Sequence, residues 1–194
     1  VPVIVDGAAQ LPPTENLHRF TKMGAALAVF SGGKDLRGPQ SSGLIVGRKD
    51  LIEAIRLNGS PNHSIGRPMK VGKEEMVGLL AAVKRYVKID QEARASQDEE
   101  TVTGWCLELN KLPGVHAERS FPNEAGQPLP RAKVTINPAK AGQSRAEVVK
   151  QLENGSPAIM VSLAGEDGIY LNPMTLADGE EQIVLDRLLA ILRR

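Results

Sequence analysis

Apolar positions in this chain recur in two rhythms. Residues 1–5 form a short β-branched run ending at Asp6-Gly7, and residues 25–30 form another; both read as buried strands. Between them, residues 14–24 have helical spacing, with Leu17, Phe20 and Met23 on one inner face. Thr14 is the predicted N-cap, the first turn is acidic, and Lys22 and Gly24 close the element. Strand, helix, strand in that order is a right-handed crossover, so the two strands are expected to run parallel.

A third short apolar run covers residues 43–47, and residues 50–57 read as an amphipathic helix closed by Asn58-Gly59. Residues 60–69, with two prolines and Gly66, read as a loop. Residues 73–89 are a predicted helix whose apolar face is Met76, Leu79, Leu80, Val83 and Val87. Its basic end, Lys84-Arg85 and Lys88, complements the negative pole of a helix dipole. The polar stretch 90–103 reads as the solvated part of a long helix reaching Leu112, with Trp105 in its core face.

Strands are then expected at 115–121 and 131–136, and a helix at 144–152 with Ser144 as cap. A hairpin of 158–163 and 168–171 should turn around Gly165-Glu166-Asp167-Gly168. The closing helix is 180–192, with Ile183, Leu185, Leu188, Leu189 and Leu192 mostly on one side. No internal repeat or low-complexity segment interrupts this order.

The chemistry concentrates at Phe30-Ser31-Gly32-Gly33-Lys34, followed by a Gly/Pro/Ser-rich turn at residues 38–43. Two glycines before a single lysine let the backbone turn sharply and let a group lie close to it. If the first two strands are parallel, Asp6 and Lys34 both emerge at the carboxyl edge of one sheet, where open α/β sheets bind ligands. A carboxylate and a lysine converging there suit pyridoxal 5'-phosphate: the acid keeps the pyridine nitrogen protonated, and the lysine forms a Schiff base and later moves protons. Each residue also has a plainer reading, Lys34 as a surface lysine and Asp6 as a turn aspartate. Ser31 can offer its hydroxyl to a phosphate or be a turn serine. Ala8 suits the space under a stacked ring and equally a small core position.

Arg67 and Arg37 are candidates for gripping an anionic substrate group, since a guanidinium reads carboxylate or phosphate bidentately; the alternative is a solvated surface arginine. His63 is either a proton shuttle near the lysine or an ordinary loop histidine.

The strings Val5-Asp6-Gly7-Ala8-Ala9-Gln10, Phe30-Ser31-Gly32-Gly33-Lys34 and Gly38-Pro39 resemble the aspartate and lysine segments of fold-type I pyridoxal-phosphate enzymes. Gly66-Arg67-Pro68-Met69-Lys70-Val71-Gly72-Lys73-Glu74-Glu75 and Ile169-Tyr170-Leu171-Asn172-Pro173-Met174-Thr175-Leu176 are similar to the branch that contains L-seryl-tRNA selenium transferase and D-glucosaminate-6-phosphate ammonia-lyase. The resemblance covers nearly the whole chain but only the later part of such an enzyme. It implies an α/β fold: the end of a fold-type I aminotransferase-like large domain with a mostly parallel sheet, then a small α+β C-terminal domain. The implied boundaries are 1–72 for the large-domain part, 73–112 for connecting helices and 113–194 for the small domain. Two further roles come from the resemblance. Relatives place a glutamine near the cofactor's phenolic oxygen, one residue closer to the aspartate than Gln10, and they turn the segment matching Gln40, Ser41 and Ser42 toward a neighbouring subunit's cofactor phosphate. A homo-oligomer with active sites at subunit interfaces is implied too.

Composition narrows the field. Of 194 residues, 24 are Lys or Arg and 23 Asp or Glu, for a net charge of +1, so no global field draws nucleic acid or an anionic membrane. Aromatics make up 3%, too few for a stacking surface, which counts against nucleic acid as a partner. The single cysteine, Cys106, excludes an internal disulfide framework and fits a cytoplasmic setting. No metal-ligand spacing, phosphate-loop signature or G-x-G-x-x-G is present, and no apolar stretch has the length of a membrane span. The chain opens without Met on a strand-like run, which is expected of a fragment or a processed chain.

The expected function is a pyridoxal-phosphate-dependent lyase or transferase acting on a small-molecule amine. Lys34 would remove the α-proton of an amino acid or amino sugar acid, with loss of a β-substituent. An aldolase or racemase would use the same two residues. A non-catalytic structural or dimerising module is the third reading.

Overall fold

The computed structural model describes residues 1–193. The chain forms two compact units, residues 1–91 with 124–127 and residues 92–123 with 128–194.

The first unit is built on a three-stranded sheet in the order β1 (Ile4–Asp6), β2 (Leu27–Ser31), β3 (Gly43–Gly47). β1 and β2 are parallel, as the crossover through α1 (Asn16–Lys22) requires. β3 runs antiparallel to β2, with Ser31 opposite Gly43. β2 is the central strand and its Ala28 and Phe30 are buried. The expectation of a buried first strand needs correction: Val3 and Ile4 are exposed, because β1 is an edge with one hydrogen-bonded neighbour among the described residues.

Helix α1 also departs from expectation. Glu15, not Thr14, occupies the cap position, no side chain caps the helix, and no acidic residue lies in the first turn. Thr14 Oγ1 is buried without a hydrogen-bond partner. Leu17 is buried and the Phe20 ring packs 6.2 Å from that of Phe30, but Met23 falls at the exposed end of the helix.

Helix α2 (Lys49–Asn58) follows β3 with none of its residues buried. The 59–72 segment is a loop containing a single 3-10 turn, Arg67–Met69, and a bridge joins Gly59 to Gly66 within it.

Helix α3 (Lys73–Tyr86) is shorter than the predicted 73–89. Its inner face is Leu79, Ala82, Val83 and Tyr86, of which Tyr86 is completely buried. Met76, Leu80 and Val87, predicted on that face, are instead exposed along with Val77. Apolar spacing marked them as groups that need cover, but the strip that meets the sheet lies to one side of them.

The second unit packs helices on a four-stranded antiparallel sheet, order β4 (Val115–Ser120), β5 (Arg131–Ile136), β7 (Gly168–Leu171), β6 (Ser162–Ala164). Helix α4 (Gln91–Leu109) stops short of Leu112, and its Trp105 is buried with the indole N–H donated to the Glu181 carbonyl at 3.0 Å. The predicted hairpin is present with a shorter first strand, Ala164 pairing with Gly168. Ser144 caps α6 (Arg145–Glu153) in a full capping box with Glu147. A short helix, α5 (Pro138–Ala141), was not foreseen; Asn137 caps it and Gly142 ends it. The last helix, α7 (Glu180–Leu192), buries Leu185, Leu188, Leu189 and Leu192, whereas Ile183 is 44% exposed and lies off the buried face.

Candidate active site

The carboxyl edge of the β1–β2 pair gathers most of the candidates. Asp6 is the last residue of β1, with Val29 as its partner on β2. It is exposed, and its Oδ1 accepts the Ala8 N–H at 3.0 Å, which turns the chain tightly at the strand end. Gly7 returns its N–H to the Val29 carbonyl at 2.8 Å, so the turn stays locked to β2. Ala8 is half-buried. Gln10 donates its side-chain amide to the Ala125 carbonyl at 3.0 Å, and Gln127 donates to the carbonyl of Leu11. Two side-chain bonds therefore fasten the short 124–127 segment to the stretch that follows Asp6.

Beyond β2 the backbone is held from several sides. Gly32 donates to the Ser42 carbonyl at 2.9 Å and accepts from the Gly38 N–H at 2.7 Å. Gln40 donates its amide to the Gly33 carbonyl at 3.0 Å, and Arg37 N–H closes on the Lys34 carbonyl at 2.9 Å. Both glycines are required by close approach. A Cβ on Gly32 would sit 2.0 Å from Ser42 Oγ, and one on Gly33 would sit 2.6 Å from Gln40 Cα. Lys34 emerges from this braced turn exposed, and among the described residues nothing pairs with its amine. The two residues after it, Asp35 and Leu36, are 4% and 0% exposed.

Sequence reasoning missed the contact that anchors Asp35. The Tyr86 hydroxyl donates to Asp35 Oδ2 at 2.6 Å, and both side chains are buried. Only the polar character of Asp35 next to Lys34 hinted at it, since 51 residues separate the partners.

Ser31 ends β2, half-buried, while Gln40 and Ser41 lie exposed in the returning turn. The structure brings His63 and Arg67 together: both line a shallow depression of about 630 Å³ with Ser64, Pro68 and Lys70. Arg67 also donates to the Pro61 carbonyl. A smaller hollow of about 270 Å³ joins that loop to the returning turn, with Ser42 and Gly43 on one wall and Gly59, Gly66 and Lys70 on the other. Among the described residues no group of acidic, His or Cys side chains is arranged to hold a metal, and no helix is long and apolar enough to cross a membrane.

The architecture that positions these residues is that of the fold-type I pyridoxal-phosphate enzymes, as the resemblance implied. Residues 7–104 match the L-seryl-tRNA selenium transferase family, and the chain belongs to that family. It is 39% identical over 189 residues to a 5'-C-glycyluridine monooxygenase-decarboxylase of a Streptomyces species, a match covering 95% of this chain and 45% of the relative. It is 33% identical over 195 residues to D-glucosaminate-6-phosphate ammonia lyase of Salmonella typhimurium, covering 97% and 48%. A solved structure of D-glucosaminate-6-phosphate ammonia-lyase superimposes with a TM-score of 0.76 at 31% identity, over 100% of this chain and 49% of that one. The chain thus spans about half the length of the relatives it matches.

Proposed function

We propose that this chain supplies the lysine-bearing part of a pyridoxal-phosphate-dependent lyase or transferase acting on an amino acid or amino sugar acid. The observation that carries the reading is the exposed Lys34, unpaired among the described residues, on a braced turn beyond β2, beside a parallel strand that ends at Asp6. When bound, the cofactor supplies an electron sink for charge developing at the substrate's α-carbon. Lys34 would hold it through its amine and, once displaced by the substrate's amine, take the α-proton as general base.

The other candidates have supporting parts. The Asp6 carboxylate would keep the pyridine nitrogen protonated, and Ala8 leaves room for the face of a ring. The Ser31 hydroxyl would donate to the cofactor phosphate. Gln10 and Gln40 act through what they brace, the 124–127 segment and the Gly33 carbonyl. Ser41, exposed in the returning turn, would face a neighbouring subunit. Arg67 and Lys70, with His63 beside them, would draw an anionic group of the substrate to the loop. The exposed Met76, Val77 and Leu80 on α3, with Val87 just beyond its end, support assembly with a second copy, since apolar area left in water costs about 25 cal/mol per Å².

Loss of a β-substituent, with ammonia released from the product, is the reaction proposed. The name of the Streptomyces relative supports a second reading, in which the α-carboxylate departs instead of the α-proton. Both begin with the same lysine, so one experiment tests the shared part. Pyridoxal phosphate is added to the protein, the mixture is reduced with borohydride, and the modified peptide is located by mass spectrometry. A label at Lys34 that disappears in Lys34→Ala is expected. A label elsewhere, or none, overturns the proposal and leaves a structural module. With amine substrates, ammonia and an oxo acid as products support elimination, and carbon dioxide supports the second reading.

A further inference from the structure

We infer that Tyr86 and Asp35 are positioning residues for Lys34: their buried hydrogen bond fixes the turn from which the amine is presented. The inference rests on the reading of Lys34 given above. Lys34 is exposed, and the next two residues are both buried, so the chain dives into the core directly after the reactive position. Leu36 fills an apolar site in a cluster with Phe30 and Tyr86. Asp35 has no such affinity for a core, and burying its carboxyl group is costly unless it is hydrogen-bonded. Tyr86 supplies a bond at 2.6 Å, the short range of O–H···O contacts.

The geometry ties this pair to Lys34 rather than to the fold at large. Arg37 N–H closes on the Lys34 carbonyl, and Gly38 N–H on that of Gly32, so the backbone on both sides of Lys34 belongs to one hydrogen-bonded loop. That loop lies against α3: a Cβ built on Gly38 would sit 3.2 Å from the Ala82 Cβ, one helical turn before Tyr86. Helix α3 thus backs the lysine turn closely at Gly38 and holds it through one polar bond from Tyr86. Loss of the hydroxyl removes one of the bonds that hold Asp35 at this depth, and loosens the turn that carries Lys34 with it.

The test compares Tyr86→Phe, Asp35→Ala and Asp35→Asn, whose amide oxygen still accepts from tyrosine. Two quantities are read: the rate at which pyridoxal phosphate condenses with Lys34, followed by absorbance and by borohydride fixation, and amide hydrogen exchange across residues 33–38 of the cofactor-free protein. Tyr86→Phe and Asp35→Ala should each slow condensation, and speed exchange in that segment, by about tenfold or more, the worth of one buried hydrogen bond. Asp35→Asn should stay within about threefold of the parent on both counts. Unchanged condensation and exchange in Tyr86→Phe would overturn the inference. So would exchange that rises equally throughout the unit, which would mark the pair as ordinary core. If Tyr86→Phe does not fold, the difference between Asp35→Ala and Asp35→Asn decides. Should the parent fail to condense with the cofactor at all, the proposed function falls, and hydrogen exchange still judges the positioning.

Discussion

Asp6 stands opposite Val29 across the parallel β1–β2 pair. From Val29 the chain runs through Phe30 and Ser31 to the two glycines and Lys34, so acid and amine leave neighbouring strands at the same sheet edge. If Asp6 holds the proton on the cofactor ring, Asp6→Asn should keep the borohydride-fixed label at Lys34 and lower kcat by about 10²–10³-fold, the scale of losing one preorganised electrostatic contact. The asparagine oxygen still accepts the Ala8 N–H, so circular dichroism should be unchanged. Full turnover in Asp6→Asn would remove Asp6 from the mechanism.

Gly33 is needed for space. A methyl group there would meet Gln40 Cα at 2.6 Å and Oε1 at 2.5 Å, and the first of these contacts is with the main chain and does not yield by side-chain rotation. Gly33→Ala should cost about 1–3 kcal/mol, the usual penalty of overpacking, seen as a lower urea midpoint. It should also reduce labelling of Lys34.

On α7 two aliphatic residues separate the buried face from its neighbour. Leu188 is fully buried and Ile183 is 44% exposed. Leu188→Ala should cost about 2–5 kcal/mol, whereas Ile183→Ala should cost about 1 kcal/mol or less. Equal losses in urea unfolding would contradict the face assigned to this helix.

Arg119 donates to both carboxylate oxygens of Glu99, with Nε at 2.7 Å, and holds its carboxyl below the ordinary value of 4.5 against a smaller opposing effect of burial. A depressed acid contributes stability above its ordinary pKa, and that contribution is lost as pH falls through the folded-state value. The Glu99 side chain is 39% exposed, so solvent screening limits the pair to below about 1 kcal/mol. Glu99→Gln should lower stability slightly at pH 7, and the difference should shrink as the pH falls below 4.5. A larger effect in acid would reverse the sign and refute the assignment.

Burial raises the pKa of the Cys106 thiol, and the charge of Glu118 raises it further. Alkylation by iodoacetamide near pH 8 should therefore be slower in the folded protein than in urea, where the thiolate is more abundant. Glu118→Gln should quicken it modestly. A folded-state rate equal to the unfolded one would show that the thiol is not shielded.

Much of this protein was legible along the chain. Short apolar and β-branched runs located five of the seven strands closely, with β1 and β6 displaced along the chain. The order of strand, helix and strand determined the parallel pairing of β1 and β2. The two glycines before Lys34 marked a sharp turn, and Ser144 marked a helix start. These signals are local: backbone conformation and apolar period are set by residues a few places apart. What the tertiary structure alone decided involves partners far apart. Spacing identified Met76, Leu80 and Val87 as apolar, but which strip of α3 meets the sheet depends on where β2 and β3 lie. Residue type made Thr14 a good cap, while the turn from Pro13 to Leu17 gave the cap position to Glu15. The strand order β4-β5-β7-β6, the meeting of His63 with Arg67, and the bond from Tyr86 to Asp35 all join distant segments. A sequence states what each side chain can offer, and only the folded chain determines which donor reaches which acceptor.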